Sequence, residues 1–169
     1  MKISHIVFII SFILDGLISN FTNTYYNNST LLFPMFSIIS LILIYPFFNN
    51  NDKNYLKTVT IFGLLYDIVY TNTLFLNMLT FFIIGIIIKF IYLLIPTNSI
   101  SNALSSVFII TVYCILNIVI LNILNYNVYH LSDLFYIVTH ALIINIIYTL
   151  IGYFILNYIS KKYKIKKID

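Results

Sequence analysis

Long apolar runs alternate with short polar breaks, and the breaks divide the chain into six segments. The apolar runs cover 5–18, 31–48, 58–71, 74–95, 103–124 and 134–159, and the polar stretches 21–30, 49–57, 96–102 and 125–133 separate most of them. Runs of this length without strict alternation read as membrane-spanning helices. The third is short: at about 1.5 Å per residue it reaches only about 21 Å, against a hydrocarbon core of about 30 Å. It either continues through Thr73 or crosses a thinned, protein-lined region. Pro34 suits the first turn of the second helix, and Pro46 and Pro96 help stop the second and fourth.

Composition sharpens this picture. Of 169 residues, 61% are hydrophobic and 8% charged, with a mean hydropathy of +0.99. A soluble domain of this size needs more charged surface. The expected architecture is therefore all-α, a single six-helix transmembrane domain over 1–160 with a basic tail over 161–169. An acid, Asp15, sits where the apolar part of a signal peptide would end and no small-residue cleavage site follows, so the first run reads as a spanning helix. Arg, Glu and Trp are absent while Ile, Asn, Lys, Tyr and Phe abound. An A/T-rich coding sequence accounts for that bias, and it weakens any argument from Asn or Tyr alone.

The lysines orient the segments. Lys161, Lys162, Lys164, Lys166 and Lys167 at the end, Lys53 and Lys57 in the 49–57 break, and Lys2 all fall on one side of a six-span chain. By the positive-inside rule that side is cytoplasmic, with both termini there. Lys89 reads as extending its stem toward the inner headgroups. An ion pair with Asp67 is disfavoured, because the two would differ in depth by roughly 15 Å.

Two acids lie inside spans, and an acid at membrane depth faces protein or water by default. Asp15 and Asp67 each stand shortly before the outer end of their helix, at similar depth. If spans one and three are neighbours the carboxylates share a site; if not, each is reached by outer water. Gly63 stands four residues before Asp67, on the same helix face, where a glycine lets a neighbouring helix approach.

Gly63-Leu64-Leu65-Tyr66-Asp67, followed by a polar break and a second long apolar run, resembles the MreD family of bacterial rod-shape-determining membrane proteins. Leu14-Asp15-Gly16, the chain length and the basic C-terminus are similar too. The resemblance implies a fold like the substrate-binding (S-component) subunits of energy-coupling-factor transporters. It also implies a non-catalytic subunit of the cell-wall elongation machinery in the plasma membrane. Its implied partners are a membrane-anchored MreC-like protein and the assembly of MreB filament, RodA glycosyltransferase and penicillin-binding transpeptidase. Asp15, Gly63 and Asp67 are the candidate partner-binding residues. The alternative is a solute- or vitamin-binding subunit of an energy-coupling-factor-type transporter.

Other chemistry has little support. There is no P-loop, Ser–His–Asp set, zinc-binding His–Glu motif or dinucleotide fingerprint, so no catalytic residue, cofactor or metal is expected. His5, His130 and His140 sit on separate segments without ligand spacing, and Cys114, alone in an apolar run, reads as a packing residue. No nucleic-acid motif accompanies the net charge of +4.

Overall fold

The computed structural model describes residues 2–25, 33–48, 51–71, 75–95, 98–125 and 131–163. These form six α-helices: α1 (Lys2–Tyr25), α2 (Phe36–Ile44), α3 (Asp52–Tyr70), α4 (Leu76–Leu94), α5 (Ser99–Ile123) and α6 (Leu131–Lys162), with a 3₁₀ turn, Tyr45–Phe48, continuing α2. His130 lies outside the described residues, as does most of the expected basic tail.

The buried faces are inverted relative to a water-soluble bundle. On α1, Ser4, Phe8, Ser11 and Asp15 point inward, whereas Ile6, Ile9, Ile13 and Leu17 are exposed at helical spacing. On α6, Ala141, Asn145, Thr149 and Leu156 are buried, and Ile143, Ile147, Ile151 and Ile155 face out. Such an apolar exterior would aggregate in water and is matched by lipid. Helices α1, α4, α5 and α6 are each long and apolar enough to cross a membrane.

Helix α2 is the rod around which the others pack. Every residue from Phe36 to Phe48 is buried, as expected of a helix apolar on all sides, and it touches α1, α4, α5 and α6. Ile38, Leu41, Ile42 and Ile44 join one core with Phe8, Phe62, Phe81 and Ile84. Ile39, Leu43 and Phe47 join another with Ile110, Cys114, Ala141 and Leu156. Cys114 is thus a packing residue, as expected.

Several boundaries differ from the sequence expectation: α1 runs on to Tyr25 and α5 starts at Ser99 rather than at 103. Helix α3 begins at Asp52 rather than at residue 58, because Asn51 caps it by accepting from the Asn54 N–H at 3.2 Å. Its 19 residues reach about 28 Å, which removes the length problem. Helix α2 starts at Phe36, so Pro34 precedes it rather than occupying its first turn, and Pro46 sits inside the 3₁₀ turn. Helix α6 runs 32 residues, about 48 Å, and carries Lys161 and Lys162 as its last turn. Lys89 has a partner the sequence reading did not name: its Nζ lies 2.8 Å from Asp52 Oδ2, and the Tyr45 hydroxyl donates to the other Asp52 oxygen at 3.2 Å.

Candidate functional site

The first four N–H groups of a helix lack intrahelical acceptors, and inside a membrane each one left unsatisfied costs several kcal/mol. Helices α3 and α5 solve this locally, through Asn51 and Asn98. Helices α2 and α4 have no side-chain cap of their own, since Met35 and Phe75 precede them. Both borrow an aspartate from the helix before.

Asp15, on α1, receives the Phe36 N–H at Oδ1 (2.6 Å) and the Ser37 N–H at Oδ2 (2.8 Å). Asn145, from α6, completes the cap: its Oδ1 accepts from the Met35 N–H at 2.9 Å, and its Nδ2 donates to the Phe33 carbonyl at 2.8 Å. Asp67, on α3, does the same for α4. Its Oδ1 accepts from the Asn77 N–H (3.0 Å), Asn77 Nδ2 (3.0 Å) and Thr71 Oγ1 (3.1 Å), and its Oδ2 from the Met78 N–H (3.0 Å). Each carboxylate also meets the positive end of a helix dipole. Phe75, immediately before α4, takes a left-handed conformation (φ 69°).

Gly63 makes the Asp67 contact possible. A Cβ on Gly63 would fall on the Asn77 carbonyl oxygen and come within 2.8 Å of Met78 Cα. Only glycine lets α3 and the first turn of α4 approach so closely. Spans one and three do meet, with Phe8 and Phe62 stacked at 3.7 Å, yet Asp15 and Asp67 are not joined to each other. Each serves its own helix end.

The three candidate residues therefore separate. Asp67 and Gly63 are buried against α4, while Asp15 also lines a cavity of about 440 Å³ at the end of the bundle opposite Lys161. Gly16, Ser19 and Asn20 of α1 form one side of it, Tyr66, Tyr70 and Thr71 of α3 another, and Pro34 and Tyr113 close it. The Tyr70 hydroxyl donates to the Phe12 carbonyl at 2.6 Å, and that of Tyr113 to Asn77 Oδ1 at 2.8 Å. Sequence reasoning missed these tyrosines, Asn77 and Asn145. Their only signal was residue type, in a chain where coding bias makes Asn and Tyr common. The two described histidines stay apart: His5 meets the Phe62 ring edge-on, and His140 contacts the Tyr136 carbonyl at 2.8 Å.

The family model for the rod shape-determining protein MreD matches residues 1–162. The chain belongs to the MreD family. It is a multi-pass protein of the cell membrane, and its family places it in the machinery that determines rod shape. No curated protein and no solved structure matches the chain. The Gly63–Asp67 segment that carries the resemblance is the one that fastens α3 to α4.

Proposed function

We propose that this MreD-family protein is a non-catalytic scaffold of the cell-wall elongation machinery. It holds an MreC-like membrane-anchored partner and so supports peptidoglycan synthesis by the RodA and penicillin-binding transpeptidase pair alongside MreB. The family match over residues 1–162 carries this reading. The internal chemistry agrees with it. Both intramembrane acids are engaged in holding helix ends, a use that favours a fixed surface over a reaction. Asp15, Gly63 and Asp67 shape the partner's seat. Asp15 borders the open cavity, and the other two fasten to α4 the end of α3 whose Tyr66 and Tyr70 line it. Both termini are cytoplasmic in this reading, with the cavity on the outer side.

Capture of the partner in detergent tests the proposal. Asp67→Ala and Gly63→Leu weaken co-purification of an MreC-like protein, and undiminished capture by both variants contradicts the seat. A second reading, a solute-binding transporter subunit, draws on the cavity, whose volume suits a small ligand. A vitamin-sized molecule retained through purification and seen by mass spectrometry would favour it.

A further inference from the structure

The cavity beside Asp15 places a carboxylate together with three phenolic oxygens, those of Tyr66, Tyr70 and Tyr113. Tyr70 and Tyr113 spend their hydroxyl protons on Phe12 O and Asn77 Oδ1, so toward the cavity they offer only lone pairs. Thr71 spends its own on Asp67. Both Asp15 oxygens accept backbone N–H groups, but an ionised carboxylate has about four lone-pair sites, so acceptor capacity remains. The Tyr66 hydroxyl lines the space and has no hydrogen-bond partner among the described residues.

The walls add a second preference. Tyr66 and Tyr70, both in the lining, pack with ring centroids 5.0 Å apart, and Phe12 backs them from outside the cavity at 4.6 Å from Tyr70 and 6.1 Å from Tyr66. Aromatic faces attract cations, most strongly where water is scarce. Among the described residues no lysine or histidine lines the cavity, and its one ionisable acid is Asp15. An anion would meet a carboxylate and phenolic lone pairs with no compensating charge.

We propose that this cavity binds an ammonium or guanidinium group. Such groups carry only donors and no acceptor, which suits the carboxylate and phenolic oxygens that line it. The Asp15 carboxylate supplies charge, the phenolic oxygens of Tyr66, Tyr70 and Tyr113 take the remaining N–H bonds, and the ring faces enclose the alkyl stem. The group comes either on a free small molecule or on a lysine or arginine side chain of a partner. The inference goes beyond the scaffold reading and does not require it.

The experiment is a thermal-unfolding titration of the detergent-purified protein alone. Butylammonium and ethylguanidinium raise the unfolding temperature saturably, whereas 1-butanol and butyrate do not. Tyr66→Phe removes a hydroxyl that holds nothing in the fold, and it weakens the apparent affinity about tenfold, the loss of one hydrogen bond to a charged group. Asn20→Lys, which supplies a tethered ammonium at the cavity edge, abolishes the response. Equal shifts with cation and alcohol, or an unchanged response in both folded variants, overturn the proposal. If excess butylammonium also releases a captured MreC-like partner, the occupant is that partner's side chain. Saturable binding without release assigns a free cation. Because the titration uses no partner, its failure leaves the scaffold reading standing, and loss of partner capture leaves the titration standing.

Discussion

The difference between two glycines shows how residue-level packing sets what each position tolerates. At Gly63 an added Cβ meets backbone, the Asn77 carbonyl and Met78 Cα, neither of which moves without displacing α4. At Gly85 it meets only side-chain carbons, Leu56 Cδ2 at 3.1 Å and Val59 Cγ1 at 3.3 Å. Overpacking costs about 1–3 kcal/mol when neighbours cannot yield. Gly63→Ala is therefore expected to lower the detergent unfolding temperature and the monodisperse yield, and Gly85→Ala to leave both near wild type. Size-exclusion profiles with a melting curve check both, and equal tolerance would contradict the close approach. The sequence made Gly63 legible through its spacing to Asp67. What the glycine touches was not legible, because Asn77 belongs to the next helix, which follows Phe75 in a conformation that type rarely adopts.

At the scale of elements, all six helices were readable from apolar runs, but two of their starts are held in a way the local sequence does not show. A helix start is usually signalled by a local cap, as Asn98 does for α5 by accepting from the Ser101 N–H at 2.7 Å. The starts of α2 and α4 are capped by Asp15, Asn145 and Asp67 from other helices, a device without local signature. The sequence showed that each acid needed a partner, and the structure shows the partner to be the start of the next helix. The other end of the α3–α4 pair is tied by Lys89 and Asp52. Their side chains are 35% and 30% exposed, so the pair contributes below about 1 kcal/mol. Lys89→Met is accordingly expected to shift the unfolding temperature only slightly. A collapse in stability would mean that the pair is far better shielded than its exposure indicates.

The whole molecule is a bundle as apolar outside as within, with serines, asparagines and aspartates buried among core isoleucines and phenylalanines and further isoleucines facing out. In the proposed orientation the end that carries Lys161 and Lys162 is cytoplasmic. An alkaline phosphatase reporter fused after Lys167 is expected to be inactive, and a strong signal would reverse the topology. The polar interior is organised around one arrangement used twice, an aspartate late in one helix holding the first N–H groups of the next. Hydrogen–deuterium exchange across the chain, comparing wild type with Asp15→Asn and Asp67→Asn, tests this most directly. The expected result is faster exchange confined to Phe36 and Ser37 in the first variant and to Asn77 and Met78 in the second. Unchanged protection at those four amides in both variants would show that the carboxylates do not hold the bundle together.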